Sequence, residues 1–234
     1  MRQDGGQVQV GPGGEWVDDG AAYAESVTNG DAPDPANHWN NAYAEGGRDR
    51  SWYQDHASTS MELIQQSGSE KRSIIDIGGG ASTLVDGLLT AGYDDIAVLD
   101  IAPAGLDAAR TRLGDRALTV DWLVADLLTW QPPRTFDIWH DRAVLHFLTT
   151  PEGRAAYRDV MLAATHPGSR VVIGVFGVDG PTSCSGLPVQ RYDAAALADV
   201  LGPEFATIDT RTERHVTPSG SVQHFQWIAA TRRD

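Results

Sequence analysis

Ile74-Ile75-Asp76-Ile77-Gly78-Gly79-Gly80-Ala81-Ser82 is the stretch on which the fold turns. A short β-branched apolar run breaks into three glycines, and a helix-forming segment follows. About 20 residues beyond the last glycine, a second apolar run, Ile96-Ala97-Val98-Leu99, ends in Asp100. In an open α/β sheet this spacing holds a nucleoside-bearing ligand. The glycines let the backbone approach it, and the carboxylate closing the second strand accepts hydrogen bonds from ribose hydroxyls.

Outward from this stretch, strand and helix alternate. Strands are expected at 73–77, 95–100, 120–125, 135–140 and 169–176, and helices at 82–91, 103–113 and 151–165. Alternation at this spacing implies a parallel sheet with helices on both faces. Thr150-Pro151-Glu152 supplies a capping hydroxyl, a first-turn proline and an acid at a helix start, and His166-Pro167-Gly168 stops that helix. A further helix is expected at 193–201, opened by Asp193 and closed at Leu201-Gly202-Pro203. Phe205–Val216 and Val222–Arg232 both read as strands, and their short connection makes them antiparallel.

Ahead of the alternation, residues 1–35 are rich in Gly, Asp and Asn and are expected to be a flexible tail. Residues 36–234 then form one domain, with a helical, aromatic-rich segment at 36–70 and the α/β core at 71–234.

The formal net charge of −14 disfavours nucleic acid and anionic membrane as partners. No run of 18 apolar residues occurs, and the first residues lack the apolar centre of a signal peptide. The single cysteine, Cys184, allows no intrachain disulfide. A cytoplasmic protein is the simplest expectation.

Three acids narrow the ligand. Asp76 lies two residues before the first glycine, where pyrophosphate-binding loops keep apolar residues; a carboxylate there suits a ligand with a positive centre and an ammonium group. Asp100 stands at the ribose position. Asp126, in Val124-Ala125-Asp126-Leu127, ends the third strand where an adenine amino group could be met. Carboxylates buried at three strand ends need partners, and a nucleoside supplies them.

Asp76-x-Gly78-x-Gly80, Asp100 and Asp126, with a closing antiparallel hairpin, resemble the class I S-adenosylmethionine-dependent methyltransferases over residues 36–232. The resemblance implies a Rossmann-like sheet of order 3-2-1-4-5-7-6 with strand seven antiparallel, S-adenosyl-L-methionine as cofactor and S-adenosyl-L-homocysteine as product. It implies that Asp76, Gly78 and Gly80 surround the methionine part, with Gly79 replacing a more usual cysteine or small residue. Asp100 would hold the ribose, and Asp126 and Leu127 would flank the adenine. Ser82, Ile101 and His140 join the cofactor set on the same ground. Trp39, Tyr43 and Ser51-Trp52-Tyr53 are similar to the N-termini of a subgroup that includes protein lysine methyltransferases. Trp39, Tyr43 and Trp52 read either as a packed aromatic cluster or as a lid that excludes water. The segments 139–143 and 184–192 look like those of a bacterial branch without an assigned substrate.

Methyl transfer from a sulfonium is an in-line displacement, so the protein supplies alignment and a dry pocket. A base is needed only if the acceptor must lose a proton. The acceptor is expected beyond the ends of strands one and four, near His140, Asp141, Arg142 and His146, and the candidate catalytic groups are His140, Asp141 and His146. Adjacent strand residues face opposite ways, which speaks against a direct His140–Asp141 relay. The alternatives are an Asp141–Arg142 ion pair anchoring the loop and a core role for His146. Arg142, Cys184, Arg191, Tyr192 and His215 are the candidate substrate contacts. The spacings of Cys184 and the histidines match no zinc pattern, so no metal is expected. The strand-four end lacks the Asn/Asp-Pro-Pro-aromatic sequence that aligns planar nitrogens, which disfavours nucleic-acid and glutamine acceptors. The expectation is a monomeric or homodimeric methyltransferase acting on a small molecule. The rivals are a protein lysine methyltransferase and a nicotinamide-dependent oxidoreductase.

Overall fold

In a computed structural model of the chain, β1 (Ile74–Ile77) is buried along its entire length. Ile74, Ile75 and Ile77 are at most 1% exposed, and each fully buried aliphatic side chain contributes about 1.5–3 kcal/mol. Such two-sided burial is the signature of a central parallel strand. The structure describes residues 34–44, 47–66 and 72–234. The tail expected over 1–35 lies outside these residues, apart from its last two positions.

α1 (Pro35–Ala44) and α2 (Ser58–Gln65) precede β1. After it come α3 (Leu84–Thr90), β2 (Ile96–Asp100), α4 (Pro103–Leu113), β3 (Val120–Val124), β4 (Phe136–Arg142), α5 (Pro151–Ala163) and β5 (Thr165–Phe176). A small ribbon, β6 (Ser183–Cys184) with β7 (Leu187–Pro188), is followed by α6 (Ala194–Leu201), β8 (Phe205–Val216) and β9 (Val222–Arg232). The main sheet runs β3-β2-β1-β4-β5-β9-β8. β9 is antiparallel to both of its neighbours. With the ribbon set aside, this is the order 3-2-1-4-5-7-6 expected from the sequence.

The caps act as the sequence implies. Gly153 N–H donates to Thr150 Oγ at 3.1 Å, and Ala196 N–H donates to Asp193 Oδ1 at 2.8 Å, each satisfying an otherwise unpaired helix-start donor. Two segments differ from expectation. β5 begins at Thr165, four residues early, and its pairing with β4 shifts between Phe136 and Ile138. The turn at Gly168 (φ +86°) makes the irregularity, and Ser169 Oγ secures it by donating to Phe136 O at 2.8 Å. The β6–β7 ribbon lies where the sequence marks no strand; Ser185 and Gly186, both at positive φ, close it as a two-residue hairpin.

Strand alternation sorts the core into two faces. Ile75, Ile77, Trp139, Ile173 and Tyr157 share one cluster. Ile74, Val98, Ile138, Val172 and Trp227 share the other, beneath α2, α3 and α4. Asp76 and His140 follow the second face, whereas Asp141 follows the first.

Candidate active site

A cavity of about 370 Å³ opens at the carboxyl ends of β1, β2 and β4. Its wall includes Trp39, Tyr43, Trp52, Asp76, Gly78, Gly79, Ser82, Asp100, Ile101, Asp126, Leu127 and His140. Of the residues expected at the cofactor, only Gly80 does not line it, and Gly80 sits directly behind. A Cβ added to Gly80 would stand 2.0 Å from Tyr43 Oη and 2.8 Å from Asp100 Oδ2. A Cβ added to Gly79 would stand 2.6 Å from Asp76 Oδ2. The missing side chains bring the turn's backbone against two carboxylates at once. Gly78 and Gly80 also hold positive φ, +62° and +41°, which glycine adopts without penalty.

The two inner carboxylates have different partners. Asp76, 3% exposed, is opposite His140 in the β1–β4 ladder. Parallel register puts both side chains on one face, and Oδ1 lies 2.7 Å from His140 Nδ1. The other ring nitrogen, Nε2, lies 2.9 Å from the buried Ser60 Oγ of α2. Asp100 accepts Ala102 N–H at 2.8 Å, while the Tyr43 hydroxyl reaches its Oδ2 only at 3.5 Å. Burial pushes the Asp100 carboxyl up to about 6, the Ala102 N–H pulls it down, and the charge of Asp76 raises it further. Burial and Asp100 together hold the Tyr43 phenol well above its usual range. A buried carboxylate with acceptor capacity left on its cavity side fits a ligand with hydroxyls to donate. The third acid differs from expectation: Asp126 lies beyond β3 and is exposed, not buried. Its Oδ1 accepts Leu128 N–H at 2.9 Å.

Aromatic rings close one side. Trp39 meets Trp52 and Phe147 edge-on at 6.0 and 5.1 Å, and Tyr43 meets Trp52 at 6.2 Å. Asn40 Oδ1 ties α1 down by accepting Ala104 N–H at 3.1 Å. These rings are therefore both a packed cluster and part of the cavity wall.

The acceptor-side candidates divide. Arg142 and Cys184 line the cavity. Asp141 does not: it faces away, fully buried, and accepts Val144 N–H (2.9 Å), Leu145 N–H (3.0 Å) and the Tyr157 hydroxyl (2.8 Å). It anchors the loop through backbone donors, not through an ion pair with Arg142, whose Nη1 donates to Trp52 O at 3.0 Å. Burial raises Asp141 to about 6. His146 is a core residue packed on Phe147 and Phe176; burial, aided by the charge of Arg142, lowers it to about 3. Arg191 donates to the carbonyls of Val178 and Gly180, and Tyr192 is buried in the first core cluster. His215 belongs to a separate hollow with Arg48, Asp55 and His56, its Nε2 2.7 Å from Ser51 O. Asp141, His146, Arg191, Tyr192 and His215 are not brought to the cavity. His140 borders it, but both ring nitrogens are engaged by protein groups.

Sequence reasoning missed Gln54, Thr83, Val144, Leu148 and Leu187, all of which line the cavity, and it missed Ser60. An apolar residue in a loop carries no signal of its own, and a serine near a helix start reads as a cap.

Among the described residues, no helix is long and apolar enough to cross a membrane. In the same set, no group of three or more His, Cys, Asp or Glu is placed to hold a metal ion.

Comparison with known proteins agrees with this geometry. A family model described as a methyltransferase domain matches residues 74–168. The 1,6-didemethyltoxoflavin-N1-methyltransferase of Burkholderia thailandensis, solved with 1,6-didemethyltoxoflavin and S-adenosylhomocysteine, superposes with a TM-score of 0.63 at 23% identity. It covers 87% of this chain and 93% of its own. The N-methyltransferase NodS of Bradyrhizobium japonicum, solved with S-adenosylhomocysteine, superposes at 0.64 with 16% identity, covering 83% and 98%. At these identities the likeness is one of fold. The curated eEF1A lysine and N-terminal methyltransferase of Mus musculus is 26% identical over 127 residues, which span 53% of this chain but only 18% of that protein.

Proposed function

We propose that the chain is an S-adenosylmethionine-dependent methyltransferase of class I and that it methylates a small molecule held in the half of the cavity lined by Arg142, Phe147, Cys184 and Leu187. When bound, the cofactor supplies an electrophilic sulfonium methyl group. The protein's part is to bind, orient and exclude water. Asp100 accepts the ribose hydroxyls. Leu127 and Asp126 flank the adenine, the latter from the rim. Asp76, kept in place by His140, faces the ammonium of the methionine part across the Gly78–Gly80 turn, with Ser82 and Ile101 completing the pocket. Trp39, Tyr43 and Trp52 shield it. His140 acts as a positioning residue, not as a base. The single observation that carries this reading is the buried Asp100 carboxylate facing the glycine turn across one cavity. The 1,6-didemethyltoxoflavin bound by one solved neighbour supports it too, as does the depth of the site within walls of aromatic rings.

We further propose that the protein works in the cytoplasm, as a monomer or homodimer, on substrates other than nucleic acid; the net charge of −14 supports the last point. The second reading, methylation of a protein lysine, is favoured by the curated relative, by the N-terminal aromatics Trp39, Tyr43 and Trp52, and by the acidic net charge. Thermal-shift measurements test the cofactor assignment. S-adenosylmethionine and S-adenosylhomocysteine should stabilise the protein, nicotinamide dinucleotides should not, and Asp100→Ala should abolish the shift. A labelled-methyl screen of metabolites against lysate proteins then separates the two acceptor classes.

A further inference from the structure

Resting on the methyltransferase reading, we propose that Arg142 is a carboxylate-binding residue at the acceptor end of the cavity, so that the methyl acceptor carries a carboxylate on a flat, apolar body.

Arg142 is the last residue of β4 and lines the cavity. Its guanidinium lies over the ring of Phe225, 4.5 Å from the centroid, and Nη1 donates to Trp52 O. Nε and Nη2 are shielded from solvent and have no hydrogen-bond partner. These two atoms form one edge of the guanidinium, whose parallel N–H groups match the two oxygens of a carboxylate. Leaving that edge unmet is costly. Burial lowers the guanidinium pKa to about 10, against the opposing pull of Glu213, Cys184 and Asp76.

No nearby acid relieves it. Glu213 Oε1 already accepts from Gln54 Nε2 at 3.1 Å, and Oε2 accepts from Trp227 Nε1 at 2.7 Å. Asp76 is taken by His140. A ligand carboxylate would neutralise the buried charge and fill both donor positions in one contact. The walls around it are apolar or aromatic: Trp52, Val144, Phe147 and Leu187.

The cofactor also carries a carboxylate, so position has to decide the source. Phe225, under the guanidinium, is on β9, which is separated from β4 by β5. Asp100 ends β2 and Leu127 follows β3, on the other side of β1. Asp76 and the Gly78–Gly80 turn, which face the methionine part, belong to the end of β1, so Arg142, on β4 and leaning toward β9, lies beyond them on the acceptor side.

The test is calorimetry on wild type, Arg142→Met and Arg142→Lys, each loaded with S-adenosylhomocysteine. The probes are acetate and benzoate against acetamide and benzamide, acetate being small enough to enter whatever the true body's shape. Wild type should prefer each carboxylate by about tenfold or more. That preference should vanish in Arg142→Met and shrink in Arg142→Lys, which keeps the charge without the paired donors. Circular dichroism and unchanged S-adenosylhomocysteine affinity report intact folding of the variants. No preference in wild type, or one that survives in Arg142→Met, overturns the proposal. So does a loss of S-adenosylhomocysteine affinity in Arg142→Met without loss for 5′-methylthioadenosine, which lacks the carboxylate: the edge would then belong to the cofactor. A wild-type protein that binds no S-adenosylhomocysteine overturns the methyltransferase reading instead, and the carboxylate comparison is still readable on the ligand-free chain.

Discussion

His140 and Asp76, partners across β1 and β4, are joined by a 2.7 Å contact between Nδ1 and Oδ1, while Ser60 Oγ occupies the imidazole's other nitrogen at 2.9 Å. A ring tied at both nitrogens has no free lone pair for an acceptor's proton. It can, however, fix the carboxylate beside it. His140→Ala should therefore weaken S-adenosylhomocysteine binding by about tenfold and lower stability by about 1–3 kcal/mol, because Asp76 stays buried without its partner. Ser60→Ala should change cofactor affinity by less than about threefold, since the Asp76 contact survives. Calorimetry and urea unfolding give both numbers. A collapse of kcat in His140→Ala at unchanged cofactor affinity would instead establish proton transfer.

Asp100 should set the pH dependence of cofactor binding. Its ionised form accepts hydroxyl donors best, yet burial places its ionisation near 6 in the free protein. Below that pH the carboxylate must give up a proton before it can bind, so the Kd for S-adenosylhomocysteine should rise by up to about tenfold per pH unit. Asp100→Asn should bind more weakly at neutral pH and lose this slope. Titrations between pH 5 and 8 check it, and a wild-type Kd flat across that range would rule out the ribose contact by an ionised Asp100.

Asp141, on the opposite face, is structural. Removing its carboxylate orphans three donors: Val144 N–H, Leu145 N–H and the Tyr157 hydroxyl. Asp141→Ala should cost about 3 kcal/mol with cofactor affinity preserved once the protein is folded. The sign of its pH effect follows from a folded pKa raised to about 6. The native state binds the proton more tightly than the unfolded chain, so this group's contribution falls as pH climbs from about 4 to about 6. The difference in urea midpoint between wild type and Asp141→Asn should trace that fall.

Gly80 and Gly92 make a matched pair, both at positive φ. An added Cβ at Gly92 meets open space, whereas at Gly80 it collides with Tyr43 and Asp100. Gly92→Ala should cost about 1 kcal/mol from backbone strain alone. Gly80→Ala should cost about 2–4 kcal/mol, as overpacking adds to that strain, and should also weaken cofactor binding by displacing Tyr43. Unfolding curves and calorimetry on the two variants separate strain from collision.

The strand-turn-helix at Ile74–Ser82, the acid closing β2 and the capped start of α5 were legible because each is written in neighbouring residues. The exposure of Asp126 could not be read that way, because it depends on where β3 ends relative to the sheet edge. Nor could the partnership of Ser60 with His140, which are 80 positions apart. His146, Arg191 and Tyr192 resembled acceptor contacts in sequence. Packing sent them into the core or onto carbonyls of their own loop.

Local chemistry in the chain thus determined the alternation of strand and helix, the glycine turn and the helix starts, since period, glycine conformation and capping act over a few residues at a time, while the sheet order was implied by the family resemblance. Tertiary structure alone decided which polar groups share a face and which are left unpaired. Parallel register aligned Asp76 with His140 and turned Asp141 away. Folding of β9 alongside β5 laid Phe225 beneath Arg142 with one edge of its guanidinium unmet. Such pairings depend on distances in space between residues far apart in the chain, and hydrophobic periodicity carries no record of them.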